Sequence, residues 1–171
     1  MTTVAYAAVT QSGLSFDRQL WMRPEIIPGL RRLTDAIHAE GAAAGIQLGH
    51  CGNMSHKSIC GCMPVGASSG FNLYSPTFVR GLRADELPEM ARAYGRSVNL
   101  AREAGFDSVE IHAGHGYLIS QFLSPSTNHR KDEFGGSLQN RMRFMDMVME
   151  EVMKACLLYT SPSPRDKRQS R

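Results

Sequence analysis

The chain of 171 residues lacks several features that would assign it to a class at once. It has no apolar run near the roughly 20 residues that cross a bilayer, so we expect no membrane association. Its N-terminus has no basic stretch followed by an apolar core, so no signal peptide is predicted and we expect a cytoplasmic location. Four cysteines are too few for a disulfide framework in a chain of this length.

A basic surface is also missing. The net charge of +3 comes entirely from Arg165, Lys167, Arg168 and Arg171 against Asp166, and residues 1–155 carry equal numbers of acidic and basic side chains. Without a basic face that could follow a phosphate backbone, we expect no nucleic-acid partner.

The C-terminal segment, residues 156–171, reads CLLYTSPSPRDKRQSR and has neither helical nor strand periodicity. It interrupts an amphipathic helix in the middle of its pattern. We interpret 156–171 as non-native, since it resembles translated adaptor sequence; a disordered native tail is the alternative. The folded domain is therefore expected within residues 1–155.

Apolar periodicity in residues 1–155 predicts strands that alternate with helices. The N-terminus reads as part of a strand, followed by a helix over 24–40, a strand over 43–48, a helix that Asp85 caps and Gly105 ends, a strand over Ser108–Ile111, and a helix from Ser137 to Ala155. Residues 49–83 read as a long functional loop. This order predicts right-handed crossovers and a parallel sheet, either a barrel or an open sheet. The missing glycine-rich phosphate fingerprint disfavours a dinucleotide-binding open sheet.

Chemically active side chains cluster at the end of the strand that stops at residue 111. His112, His115 and Tyr117 follow it, separated by Gly114 and Gly116, which allow sharp turns. Two imidazole N–H groups can converge on one ligand oxygen, polarise a carbonyl or nitro group and stabilise the charge that develops when hydride reaches a conjugated alkene. Tyr117 can then deliver a proton to the neighbouring carbon. The alternative is that one histidine is merely structural.

Two polar residues inside strands need partners. Gln47 lies in an apolar strand, where its amide either faces a ligand such as a flavin pyrimidine ring or bonds to the backbone. Glu110 shares a strand face with His112, and Arg141 or Arg143 could pair with it.

The cluster of His50, Cys51, His56, Cys60 and Cys62 invites a zinc interpretation. Only one residue separates Cys60 from Cys62 and no second cysteine pair follows, so we expect no metal site. A metal-dependent hydrolase on a barrel, with His50, His112 and His115 as ligands, is the alternative function.

Three longer motifs carry a family resemblance that covers nearly all of residues 1–155. They are GIQLGH at 45–50, AREAGFDSVEIHAGHGYLISQFLSP at 101–125, and TNHRKDEFGGSLQNRMRF at 127–144. Together they resemble the Old Yellow Enzyme group, the NADH:flavin oxidoreductases that bind FMN in a (β/α)8 TIM barrel. The resemblance implies an incomplete α/β barrel that comprises roughly the second to fourth βα units.

By this resemblance, Gln47 is the ligand of the flavin pyrimidine, His112 and His115 bind the activating oxygen of the substrate, and Tyr117 is a candidate proton donor. The implied reaction passes hydride from NADH or NADPH through FMN to a small molecule such as an activated alkene, an enone or a dienoyl thioester.

The chain also departs from the family pattern. Asn53 stands where the family motif commonly has arginine, and Cys51, Cys60 and Cys62 do not correspond to the iron–sulfur ligands of larger relatives. The first strand and strands five to eight, with the phosphate-binding loops, have no counterpart. We therefore expect the isolated chain to bind flavin poorly, and a catalytically inactive fragment is a third interpretation.

Overall fold

The computed structural model describes residues 1–157, and its centre is a parallel sheet of three strands that lie side by side in chain order. The strands are β1 Thr2–Ala8, β2 Ala44–Gly49 and β6 Ser108–Ile111. In register, Ile46 lies beside Val4 on one side and Val109 on the other. Because each strand is parallel to the next and a helix lies between them, the sheet is an arc of an α/β barrel.

Helices cover the outer face of this arc. They are α1 Ile27–Ala39, α3 Leu87–Glu103 and α5 Leu138–Leu157, with a short α4 Leu118–Leu123 before the last. The side chains of Ile46 and Leu48 lie on the outer face of the sheet, beneath the helices, and are fully buried in the core. Between α4 and α5, the rings of Phe122 and Phe144 pack with centroids 4.6 Å apart. In the described part of the chain, no helix has the length and apolar character needed to span a membrane.

Most predicted element boundaries are confirmed within one or two residues, and β6 is confirmed in full. The predicted cap at Asp85 was wrong: Asp85 lies in a 3-10 turn, Ala84–Glu86, that precedes α3, and the N-cap of α3 is Glu86. Arg83 is the N-cap of that turn, and its backbone N–H donates to the Glu86 carboxylate at 2.7 Å. Asp85 instead accepts a bond from the Arg83 guanidinium at 3.0 Å. The cap at Ser137 is confirmed, since its hydroxyl accepts the Asn140 N–H at 3.2 Å.

The last helix extends two residues beyond the predicted end at Ala155, so Cys156 and Leu157 belong to it. The rest of the segment 156–171, from residue 158 onward, lies outside the described residues.

Residues 49–83 are more regular than the predicted loop. They contain the helix α2 Lys57–Cys60 and a second small sheet of β3 Val65–Gly66, β4 Gly70–Asn72 and β5 Thr77–Gly81. These strands escaped prediction because they span only two to five residues, too few to show a period. The Arg130 guanidinium fastens this segment to the loop after α4 by donating to the carbonyls of Ala67 and Leu82.

Candidate active site at the carboxyl ends of the strands

The backbone after β6 brings His112 and His115 together. His112 continues the strand pairing by donating its N–H to the Leu48 carbonyl at 2.8 Å. His115 adopts a left-handed backbone conformation with φ of +55°, and Gly116 follows with φ of +69°. This reversal brings Nδ1 of His115 within 3.2 Å of Nε2 of His112. A left-handed conformation at a residue other than glycine is costly and often marks a functional position.

The convergence of the two imidazoles predicted from the sequence is therefore present. The facing nitrogens form a hydrogen bond to each other, and an oxygen that accepted from both would replace it. Burial, and then the neighbouring His115, lower the pKa of His112 below its usual value. A neutral His112 keeps one ring N–H, which is a donor that carries no formal charge.

Tyr117 completes an aromatic group at the same edge. Its ring meets the His112 ring edge-on, with centroids 4.9 Å apart. Tyr6 of β1 packs against both, at 5.2 Å from the Tyr117 ring and 5.8 Å from the His112 ring. The structure thus places His112 and Tyr117 beside Tyr6, a residue that the sequence analysis did not identify, and His115 beside His112.

A β-bulge explains why Tyr6 was missed. The register between β1 and β2 shifts between Val4 and Ala7, so that β1 contains one extra residue and Tyr6 lies within the irregularity. Its hydroxyl donates to the Gly13 carbonyl at 2.6 Å, and burial raises its pKa above the usual range. A Cβ at Gly49 would lie 2.5 Å from the Tyr6 ring, so this packing requires glycine there. The sequence did show an aromatic residue, Tyr6, near the carboxyl end of a strand, which could have suggested a site residue. The bulge that brings it to the site could not be predicted from the sequence.

Gln47 and Glu110 lie on the inner face of the sheet, next to each other in register. The Gln47 Nε2 donates to Glu110 Oε1 at 2.7 Å, and within residues 1–157 the Gln47 side chain makes no hydrogen bond to the backbone. Neither predicted arginine partner of Glu110 is correct. Arg141 donates to the Leu123 carbonyl at 2.7 Å, and Arg143 to the Asn140 side chain at 3.3 Å.

Comparison with known proteins decides the family. The sequence profile described as the NADH:flavin oxidoreductase / NADH oxidase family matches residues 1–159. The chain belongs to this family. It is 40% identical over 155 residues to the 4,4'-dithiodibutanoate disulfide reductase of Rhodococcus erythropolis, a match that covers 91% of this chain and 38% of the relative. It is 39% identical over 150 residues to the NADPH dehydrogenase of Bacillus subtilis, covering 87% and 44% respectively.

Solved structures of the NADH:flavin oxidoreductase family agree. The Old Yellow Enzyme homologue of Zymomonas mobilis superposes with a TM-score of 0.84 at 33% identity, over 90% of this chain and 46% of that one. Morphinone reductase in complex with tetrahydroNAD superposes with a TM-score of 0.85 at 28% identity, over 90% and 48%. The incomplete (β/α)8 barrel is thereby confirmed, and this chain spans less than half the length of these relatives. The family's cofactor is FMN, with NADH or NADPH as reductant.

The inner face of the sheet fits a flavin of this family. The Gln47 amide has two N–H groups and one carbonyl oxygen, and Glu110 accepts from only one N–H. Within residues 1–157 no hydrogen bond engages the Gln47 oxygen. Glu110 therefore orients the amide and leaves a donor and an acceptor side by side, which is the pattern that a pyrimidine ring requires.

A buried amide joins the two loops of this candidate site, and the sequence analysis did not identify it. Gln121 of α4 is 1% exposed, and its Nε2 donates to the carbonyl of Gly116 at 2.7 Å, to Asn53 Oδ1 at 2.9 Å and to the carbonyl of Cys51 at 3.2 Å. Its Oε1 accepts the Asn53 N–H at 3.1 Å. Gln121 thus clamps the loop after β2 to the loop that carries His115. Asn53 serves as part of this scaffold.

His50 takes no part in a shared site with His112 and His115. It is fully buried, its Nδ1 accepts the Gly52 N–H at 2.9 Å, and its Nε2 lies 3.0 Å from the Ser12 hydroxyl. Burial lowers its pKa to about 3. Since both ring nitrogens are engaged, His50 cannot join a three-histidine metal site, which removes the basis of the hydrolase alternative. Among the residues that the structure describes, no three histidine, cysteine or acidic side chains converge as a metal site would need.

Proposed function

We propose that the protein carrying these residues is an ene reductase that transfers hydride from NADH or NADPH, with FMN as cofactor, to an activated alkene. The observation that carries this proposal is the pair of ring nitrogens of His112 and His115, 3.2 Å apart at the carboxyl end of β6. Their arrangement suits an oxygen that gains negative charge during the reaction.

When bound, FMN supplies the chemistry of accepting a hydride from the reductant and giving it to the acceptor. We assign Gln47 to hold the pyrimidine edge of the cofactor, with Glu110 orienting the amide through the 2.7 Å bond. A fixed amide loses less conformational freedom on binding than a mobile one, so this pairing should strengthen cofactor binding.

His112 and His115 act on the substrate oxygen. Each donates one ring N–H to the carbonyl or related oxygen that activates the alkene. Tyr117, whose ring contacts His112, delivers a proton to the carbon next to the activating group. Tyr6 packs against Tyr117 and restricts its ring, which supports a fixed direction of proton delivery.

The acceptor class we propose is a conjugated carbonyl compound, either an enone or a dienoyl thioester. A thioester is supported by the likeness to the 2-naphthoyl-CoA reductase–2-naphthoyl-CoA complex, which superposes with a TM-score of 0.84 at 29% identity over 90% of this chain. We also propose a cytoplasmic location, which the free thiols of Cys51, Cys60, Cys62 and Cys156 support.

The test uses the FMN-loaded protein that contains these residues within a complete barrel. Replacing His112 and His115 together by alanine should abolish reduction of a cyclic enone, because the oxygen loses both donors. The bound flavin, measured by its visible absorbance, should remain. His38→Gln is the matched control, since His38 pairs with Asp107 at the opposite end of the sheet and should leave turnover unchanged. Loss of flavin in the double variant would show that the histidines hold the cofactor instead.

We further propose that the isolated chain binds FMN weakly and does not turn over. The support is that, of the described residues, we assign only Gln47 to the cofactor, whereas each charge-assisted phosphate contact contributes about 1.5–3 kcal/mol. Titration of FMN fluorescence with the 171-residue chain measures this affinity. Tight binding together with enone turnover would contradict the proposal.

A further inference from the structure

A pair of thiols lies outside the site described above, in the segment between β2 and α3. Helix α2 ends at Cys60, and Gly61 follows in the left-handed conformation with φ of +72°. This turn folds the chain back, so that the sulfur of Cys62 lies 3.5 Å from the sulfur of Cys60. The Cys60 thiol also donates to the Cys62 carbonyl at 3.2 Å. The fold therefore holds both thiols on the same side of the turn.

The two thiols differ in access. Cys60 is 1% exposed, whereas Cys62 is exposed and lines a cavity of about 650 Å³. A volume of this size accommodates a small organic molecule. Cys62 can therefore meet a ligand in the cavity, whereas Cys60 is almost inaccessible to one.

The cationic and anionic side chains around the cavity are equal in number and pair with one another. Its lining includes Arg80, Arg83 and Arg96 together with Asp85, Glu86 and Glu89. Arg80 pairs with Glu86 at 2.6 Å, Arg83 with Asp85 at 3.0 Å, and Arg96 with Glu89 at 2.8 Å. The hydroxyls of Thr10 and Ser12 complete the polar part of the lining. Because each cation already has an anionic partner, the cavity favours a polar ligand without net charge.

We propose that Cys60 and Cys62 form a dithiol site that reduces small organic disulfides of no net charge by thiol–disulfide exchange. The Cys62 sulfur attacks one sulfur of the bound disulfide, which forms a mixed disulfide on Cys62 and releases one small thiol. The Cys60 sulfur then attacks the Cys62 sulfur, which forms the Cys60–Cys62 disulfide and releases the second small thiol. The protein loses two electrons and two protons, and the organic disulfide gains them.

The geometry requires little movement for the second step. The sulfurs must approach from 3.5 Å to a bond of about 2.0 Å, and rotation at the two cysteine side chains and at Gly61 can supply this change. Burial and the contact with Cys60 raise the pKa of Cys62 to about 11, so the Cys62 thiol stays protonated at neutral pH. The exchange is therefore best measured at about pH 8.5, where the thiolate fraction is larger than at neutral pH.

The test uses the full chain with Cys156→Ser, which removes the exposed cysteine of α5 and leaves Cys51, Cys60 and Cys62. The reduced protein is incubated with 2-hydroxyethyl disulfide, and its thiols and mass are measured. We expect the loss of two thiols, a Cys60–Cys62 disulfide on peptide mapping, and no retained mercaptoethanol. With Cys60→Ser added, the mercaptoethanol adduct should stay on Cys62. With Cys62→Ser added instead, the buried Cys60 should react about tenfold more slowly.

A second measurement tests whether the fold brings the two sulfurs together, beyond the closeness of the two cysteines in the sequence. The equilibrium constant for forming the Cys60–Cys62 disulfide should be about tenfold larger in the folded chain than in the same chain unfolded in urea. Equal constants, or a lasting adduct on Cys62 when both cysteines are present, would overturn the proposal. This comparison needs neither serine variant at Cys60 or Cys62, so it decides the question even if such a variant fails to fold. It also needs no flavin, so its outcome is independent of the proposed alkene reduction.

Discussion

Replacing Gln121 by leucine should reveal how much the two active-site loops depend on one buried amide. The two Nε2 hydrogens serve the carbonyl of Gly116, the side chain of Asn53 and the carbonyl of Cys51, and Oε1 accepts the Asn53 N–H. Two donors and one acceptor correspond to three hydrogen bonds, and each contributes about 1 kcal/mol net. Because leucine would leave these partners buried without a bond, we expect Gln121→Leu to lower the free energy of unfolding by about 3 kcal/mol.

Urea unfolding followed by far-UV circular dichroism measures this change as a shift of the midpoint to lower urea. The matched control is Gln139→Leu in α5, where the glutamine is exposed and the substitution should change the free energy by less than about 0.5 kcal/mol. A third variant, Gln121→Glu, retains the shape and replaces the two donors by a carboxylate. It should be at least as destabilised as the leucine variant, since a charge is then buried beside carbonyl oxygens.

The same substitution should also loosen the loop that carries His115. With the Gly116 carbonyl released, the left-handed conformation at His115 loses a constraint that stabilises it. We expect the NMR signals of the His115 ring to broaden or shift, while those of His38, at the other end of the sheet, stay unchanged. A leucine variant as stable as the parent, with unchanged His115 signals, would refute the clamp as we describe it.

Three further predictions concern packing and pH. Gly49→Ala should lower stability by about 1–3 kcal/mol in thermal unfolding, because the added Cβ would lie 2.5 Å from the Tyr6 ring; an unchanged midpoint would contradict this packing. Phe144→Ala should lower the free energy of urea unfolding by about 3–5 kcal/mol, because it removes a fully buried ring. The pKa of His50 is lowered to about 3 in the fold, so the unfolded chain binds its proton first as the pH falls. Stability should therefore decline between about pH 6.5 and 3, and His50→Gln should make this decline shallower.

The periodicity of apolar residues along the chain made the strands and helices predictable. The strand Ser108–Ile111 and the three outer helices follow from apolar periodicity and from helix-ending glycines, which depend only on local sequence. The nearness of His112 and His115 was predictable as well, because a strand end followed by glycines determines where both side chains can point. Their use in catalysis stays a prediction.

Features that depend on pairing between distant segments were not predictable from one sequence. Tyr6 lies at the site because of a bulge in β1, where the pairing register with β2 shifts. Glu110 is paired by Gln47 across 63 residues, although Arg141 and Arg143 were the expected partners. Charge complementarity favoured an arginine, but strand register brought an amide beside the carboxylate instead.

Hydrogen bonds between neutral groups hold the two loops of the site together. Gln121 clamps the two loops, His50 is buried without charge, and the pKa of His112 is lowered below its usual value. Fixed neutral donors avoid the desolvation cost of a buried cation and still meet a developing negative charge on a substrate oxygen. Burial disfavours a charge on His112, so its lowered pKa favours the neutral ring, whose Nε2 lies 3.2 Å from Nδ1 of His115. The precision of the arrangement therefore depends on distant amides such as Gln121 as much as on the histidines themselves.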